Sequence, residues 1–477
     1  MENNKRREFS LPTEIVEHIH SFMKGKEAVR IAIVSKSLYN AWSKRPNLDF
    51  DERHFKSNTI FSEFTKNTMK RYEDLNLKIE SFTLRMDHEC SNPLAKKLIV
   101  RAVKLGAIDL IIEFYGPVCC HFNLPDEVFA SETLARLSLT ECAIDVGRNV
   151  EVNCSKLKSL HLCRVGIING DLFRNLVSRC PSIEKIICDG NLISVEKEIH
   201  NNHKLNGMLE YEFHKLQSLS LDTLKDRDAL FFQEFLLKFP CLKILAIRNI
   251  YNCGKIRICS QSLECISFVE YYKAVTAEFD VPNIRKFHFE GSASSCLTFE
   301  TTCGDDWESD IHIMCYQGSS SWLSSLRKLL QNLSMSKVSL SIHVKYRSKY
   351  ICDYTSCEPM PLVENLKIMD HVPNSGLLHG LFFICRPKFV NRHCFAPNRN
   401  ALLKLLCTKL VDKRSGNRCI PKPSMHGLEE VNVELFEEKL QKWRPPLLWK
   451  MLFDAPTITE NTQKVRFRLR WRSVTSS

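Results

Sequence analysis

A short apolar pattern returns along most of this chain, and it limits the folds available more than any other feature. Ile79-x-x-Phe82-x-Leu84 is the first copy, followed by Leu105 with Ile108 and Leu110, Leu134 with Leu137 and Leu139, and Leu157 with Leu160 and Leu162. Further copies open at Ile183, Leu216, Leu242, Leu263 and Ile284, twenty-one to thirty-three residues apart. Alternation over five or six residues describes a short strand with one buried face. A strand this short cannot bury that face alone, so successive copies must stack.

Two copies align without a gap and show what precedes the strand. Leu172-Phe173-x-x-Leu176-Val177-x-x-Cys180-Pro181-x-Ile183 lies over Phe231-Phe232-x-x-Phe235-Leu236-x-x-Phe239-Pro240-x-Leu242. The apolar positions fall at i, i+4 and i+8, as on a helix, and proline then breaks it two residues before the strand. Pro282 before Ile284 and Pro361 before Val363 repeat the punctuation. The expected unit is therefore helix, proline turn and strand, stacked with strands on one side and helices on the other. Beyond Gly291 the pattern weakens, then returns at Met335-x-x-Val338-x-Leu340-x-Ile342 and Val363-x-x-Leu366-x-Ile368. Ala401 to Leu410 reads as a helix, Lys413 to Pro423 as a basic loop, Leu428-x-x-Val431-x-Val433 as a late strand, Trp443 to Pro446 as a turn, and Val465 to Trp471 as the last strand.

The first fifty residues follow a different rule. Ser10 or Thr13 can cap a helix with Pro12 in its first turn and Ile15, Ile19 and Phe22 on one face. Gly25 is expected to end it. Lys26 to Val34 reads as a second helix, and Ser35 can cap a third that shows Leu38, Tyr39 and Trp42 before Pro46. Three helices this short make a poor core, so the leftover apolar residues call for a partner or the rest of the chain.

Leu11-Pro12-x-Glu14-Ile15, Ile19-x-Ser21-Phe22, Val34-Ser35-Lys36-Ser37, Trp42 and the closing Pro46-Asn47-Leu48-Asp49-Phe50-Asp51-Glu52 resemble the F-box of the plant F-box/leucine-rich-repeat proteins. Met23, Val34 and Leu38 depart from the family's usual residues while keeping apolar character. The stretch Leu381 to Lys388 also resembles a motif that family members carry late in their repeats. The resemblance implies an α/β chain with a small three-helix F-box over 9–52, a helical linker over 53–78 built on Phe61, Phe64, Met69, Tyr72 and Leu75, and an irregular leucine-rich-repeat solenoid, a horseshoe with a C-terminal cap, over 79–477. It implies that Leu11, Pro12, Glu14, Ile15, Ile19, Phe22, Val29, Val34, Ser35, Leu38 and Trp42 face a Skp-type adaptor and, through it, a cullin-based ubiquitin ligase. The repeats would then hold a protein substrate for ubiquitination.

Composition narrows the remaining readings. The 477 residues are 44% apolar and 26% charged, ordinary for a soluble globular chain. Met1 to Glu8 is polar and basic with no apolar stretch behind it, so no secretory signal is expected, and the protein is expected in the cytoplasm, the nucleus or both. Twenty-one cysteines sit in strand-like surroundings without any Cys-x-x-Cys, which reads as reduced, buried thiols and no metal. The formal charge of +12 is compatible with nucleic acid, a membrane surface or an acidic partner, but it is spread thinly. Only Lys5-Arg6-Arg7 and the row Arg466, Arg468, Arg470 and Arg472 concentrate it, and the row alternates with Val465, Phe467, Leu469 and Trp471 as the wet face of an edge strand does. No Gly-rich phosphate loop, His-Glu-x-x-His helix or Gly-x-Ser-x-Gly elbow is present. Neither a cofactor nor catalysis by this chain is expected. Two functions stay open: a ligase substrate receptor, and a ligase-independent solenoid sensing a small molecule or nucleic acid behind an F-box-like cap.

Overall fold

The computed structural model describes residues 12, 15–16, 18–19, 22–23, 25–87, 92–115, 122–144, 152–167, 179–189, 214–225, 229–251, 255–270, 274–300, 307–315, 320–344, 360–369, 375–392, 411–412, 420–421, 427–437, 440–444 and 465–472. The chain divides into two compact units, Met1–Asp222 with Lys238–Leu242 and Thr223–Leu237 with Lys243–Ser477. The architecture is mixed α/β, dominated by parallel strands.

In the first unit, residues 15, 16, 18 and 19 are helical and the Pro12 carbonyl accepts from the amides of Ile15 and Val16 at 3.1 Å. Gly25 does not end this helix as expected; it is the first residue of the next, Gly25–Ala32. Ser35 caps Lys36–Ser43 through an Oγ that accepts from the Leu38 amide at 3.2 Å. Pro46 is followed at once by a strand, Asn47–Asp51, which pairs in parallel with Ser81–Asp87. The closing motif of the helical module is thus the first rung of the ladder.

A single seventeen-residue helix, Asn58–Asp74, connects these two strands and buries Phe61, Met69 and Tyr72, while Phe64 and Leu75 stay exposed. Parallel pairing then runs from Ser81–Asp87 through Asp109–Tyr115, Arg136–Thr140, Ser159–Cys163 and Lys185–Asp189 to Ser218–Lys225. Phe82, Leu110, Leu137, Leu160 and Ile186 are in register, and all are buried. One copy was misplaced in the sequence. Ile108 is exposed, and the buried set is Ala107, Leu110 and Ile112, because an alanine occupies the first position and the neighbouring Leu105 and Ile108 imitate the spacing two residues early. The preceding helix Asn92–Lys104, which the sequence reading did not anticipate, buries Ala95, Leu98, Ile99 and Ala102 and ends at Gly106, whose φ of +85° suits glycine. Of the aligned copy Leu172 to Ile183, Leu172 to Val177 lie outside the described residues, while Cys180 and Ile183 are buried.

In the second unit Ile244–Tyr251, Cys265–Val269, Lys286–Gly291, Glu308–Cys315, Lys337–Val344, Leu362–Met369 and Arg386–Arg392 pair in parallel, in chain order. Here, among the described residues, a short strand stands on the far side of several copies in place of the expected helix. Leu242, Leu263 and Ile284 are only twenty-one residues apart, too few for strand, helix and two turns. The return is instead a short strand, and Ile256–Cys259, Thr276–Asp280 and Cys296–Phe299 form their own parallel sheet. Pro282 accordingly follows a strand, not a helix. Phe268 and Phe287 from the long ladder meet Phe279 and Phe299 from the short sheet, with Trp307 at 4.9 Å from Phe299, and the Phe279 and Phe299 rings are stacked at 4.8 Å. Each such pair adds roughly 0.5 to 1.5 kcal/mol beyond the area it buries. Where the spacing lengthens, helices return: Ala229–Leu237, Ser320–Asn332 and Ser375–Ile384.

The strand Glu308–Cys315 falls where the sequence pattern weakens, and Met335, read as the opening of the next copy, is exposed while Val338, Leu340 and Ile342 are buried. The last strand, Val465–Trp471, is not an edge. It lies antiparallel between Arg386–Arg392 and Leu428–Glu437, and Trp443 belongs to a further strand, Lys442–Arg444, instead of a turn. The helix expected over Ala401 to Leu410 lies outside the described residues. Within the expected basic loop, Ile420–Pro421 pairs antiparallel with Val411–Asp412.

Candidate functional site

The helical module inverts the usual distribution of apolar residues. Its described core is Val16, Ala28, Ala32 and Ala41, whereas Ile33 is 83% exposed, Phe22 77% and Val34 74%. Ile15, Ile19, Val29, Ile31 and Tyr39 are exposed as well. Small side chains inside let short helices approach closely, and the large ones are left for water or a partner. Exposed large apolar residues in this number, on so few residues, are the informative departure from ordinary surface composition.

Among the residues singled out from sequence, Pro12, Ile15, Ile19, Phe22, Val29 and Val34 are exposed. Ser35 is committed to capping, Leu38 and Trp42 are half-buried, and Leu11 and Glu14 lie outside the described residues. The Trp42 ring is covered by the Arg71 guanidinium at 5.5 Å and leans on Tyr39 at 5.6 Å, which ties the third helix to Asn58–Asp74. Ile31 and Ile33 are exposed as well, although the sequence motif does not single them out. Their alternation with Ala28 and Ala32 was the available signal.

A second site is built by register in the other unit. On the outward face of the ladder Ala246, Ser267, His288, Asp310, Ser339 and Asn365 are successive pairing partners. One step along, Glu290 partners His312, which partners Ser341. Lys286, His288, Glu308, Asp310, Lys337 and Lys367 help line a groove of about 920 Å³ here. His288 Nδ1 lies 3.5 Å and His312 Nε2 3.1 Å from the same oxygen, Oδ2 of Asp310. Hydrogen bonding from His288 and then His312 holds the Asp310 carboxyl well below the usual carboxylate range. The His343 ring stacks on His312 at 5.8 Å, and burial, helped by the neighbouring His312, lowers its affinity for a proton. The sequence offered no sign of this cluster beyond the repeat length, since His288 and Asp310 meet only through strand pairing.

The arginine row finds partners within its own sheet. Arg466 Nε donates to Glu434 Oε2 at 2.5 Å, Arg470 pairs with Glu429 and Glu430, and Arg472 with Glu429. The Arg466 guanidinium also lies 4.3 Å from the Trp443 ring centre and 4.5 Å from that of Phe389. Among the described residues no helix is long and apolar enough to cross a membrane.

Comparison with known proteins agrees with the geometry. Residues 9–50 match the F-box domain. Residues 97–209 match the leucine-rich repeats described for the FBD-associated F-box protein At5g56370. Three similar proteins of Arabidopsis thaliana illustrate the likeness. FBD-associated F-box protein At1g60410 is 27% identical over 39% of this chain and 46% of its own length. F-box/LRR-repeat protein At3g59200 is 29% identical over 37% of this chain and 35% of its own. FBD-associated F-box protein At3g52670 is 24% identical over 50% and 54%. The chain thus spans about half or less of the length of these relatives.

Proposed function

We propose that this relative of the plant F-box/leucine-rich-repeat proteins is a substrate-receptor subunit of an SCF-type ubiquitin ligase. The helical module docks on a Skp-type adaptor, the outward face of the solenoid's strands holds a protein substrate, and the chain itself contributes no catalytic group. It works in the cytoplasm, the nucleus or both. The observation that carries this reading is the module that buries Ala28, Ala32 and Ala41 while exposing Phe22, Ile33 and Val34, within the residues that match the F-box domain. Glutamates already occupy Arg466, Arg470 and Arg472, which argues against nucleic acid as the partner of that row.

The test is titration of the full chain against Skp-type adaptors, with Leu11→Ala/Pro12→Ala as the comparison. Removing two side chains desolvated at an interface costs about 2 to 4 kcal/mol, so binding should weaken roughly thirty-fold to several-hundred-fold. The double variant should keep the circular dichroism of the wild type. Equal affinity in two folded proteins, or no adaptor binding by the wild type, removes the ligase reading. The groove of about 920 Å³ would then favour the second reading, a ligase-independent binding protein for a small ligand.

A further inference from the structure

We propose that His288, Asp310 and His312 form a binding site for a borderline divalent cation, zinc in the first instance, with one coordination position open to the groove. The inference does not rest on the ligase reading. Two imidazoles and one carboxylate are a donor set that zinc takes when it keeps a position for water or another ligand. The three side chains come from adjacent strands in fixed register, so their backbones need not reorganise to converge: His288 and Asp310 are direct pairing partners, and His312 follows two residues along the same strand as Asp310.

Their donor atoms all lie within 4.8 Å of one another. The separations from Asp310 Oδ2, 3.1 and 3.5 Å, bracket the spacing of about 3.4 Å that tetrahedral ligands at zinc distances would have. Hydrogen bonding alone accounts for this arrangement less well. Both imidazoles aim at one oxygen, one of them at the outer limit for a hydrogen bond, while Asp310 Oδ1 is shielded from water and has no hydrogen-bond partner. A cation held at Oδ2 between the three side chains would replace one long and one shared contact with three metal–ligand bonds. His343 stacked on His312 fixes the plane of one ligand, as groups behind a metal's ligands commonly do. Lys367 acts on Asp310 from two strands away and opposes the cation's charge, so the site is expected to be selective for metals that imidazole binds well, and poor for magnesium or calcium.

The test uses the full chain after chelator treatment and dialysis. Zinc is titrated in competition with a chromogenic chelator, and cobalt(II) is added separately to read the visible absorption of a low-symmetry site. One equivalent of zinc per chain and a cobalt spectrum are expected. Asp310→Asn and His312→Ala should each weaken zinc at least about tenfold. His161→Ala, which removes another imidazole hydrogen-bonded to a carboxylate, that of Asp189, should change nothing. Folding is followed by circular dichroism, and His288→Gln, at a half-exposed position, serves if His312→Ala unfolds. Absence of stoichiometric binding by the folded wild type, or unchanged affinity in the folded triad variants, overturns the proposal.

Discussion

The hydroxyl of Tyr72 donates to the carbonyl oxygen of Arg45 at 2.6 Å, and Tyr72 is fully buried. Arg45 lies between the third short helix and the first rung of the ladder, so this bond joins the helix Asn58–Asp74 to the point where the helical module becomes sheet. From sequence these residues are expected to be a helical linker. In the structure their side chains form the packed base on which the exposed apolar face is carried.

Tyr72→Phe keeps the ring and removes only the donor, leaving the Arg45 carbonyl buried without it. The expected cost is about 1 to 3 kcal/mol, read as a lower denaturant midpoint at unchanged slope. If the chain binds a Skp-type adaptor as proposed, its affinity should stay at the wild-type value under conditions where both proteins are folded. An unchanged midpoint would mean that the carbonyl finds another donor.

The ladder was largely legible because burial on one face forces the apolar-x-x-apolar-x-apolar spacing. It failed where a small residue took an apolar position, as Ala107 does, and where the return path changed from helix to strand, as between Leu242 and Ile284. Short returns leave no helical periodicity to read. The helical module is visible as a motif, but which of its residues are exposed is not, since Ala28 and Ile31 lie on the same short helix with opposite fates. His288 and Asp310 were the least legible. Their meeting depends on register, which sequence spacing leaves open by one residue in either direction.

Arg466 and Arg468 alternate on one strand yet should differ in weight. Arg466 is held by Glu434 and two aromatic rings, whereas Arg468 is exposed and lies 3.9 Å from the same glutamate. Arg466→Ala is expected to destabilise by about 1 to 3 kcal/mol and Arg468→Ala by no more than about 0.5 kcal/mol. Chemical denaturation of the two variants side by side measures the difference. Equal effects would reduce the row to a solvated face.

Cysteine reactivity should follow position. Burial pushes the thiols of Cys188 and Cys385 up to about 12, so at mildly alkaline pH each stays protonated and shielded. Cys241 and Cys296 are exposed. A brief pulse of maleimide on the native protein, followed by peptide mass spectrometry, should label Cys241 and Cys296 and spare Cys188 and Cys385 until denaturant is added. Equal labelling of all four in the native state would contradict the packing of those strands.

The helical module offers a contrast in which burial alone decides the outcome. Val16 is 3% exposed and Val34 is 74% exposed, although both are valines within the same short module. Val16→Asp places a carboxylate at a buried position without a designed partner, a change that costs several kcal/mol and should unfold the module. Val34→Asp puts the same charge in water, where the change in stability should stay within about 0.5 kcal/mol. If Val34 is covered in an adaptor complex, the stranded charge there should weaken binding by about 2 kcal/mol or more, roughly thirty-fold. Circular dichroism and adaptor titration on both variants separate the cases: Val16→Asp should lose binding together with helical signal, Val34→Asp should lose binding alone. A folded Val34→Asp variant with wild-type affinity would place the adaptor on another part of the exposed face, away from the start of the third helix.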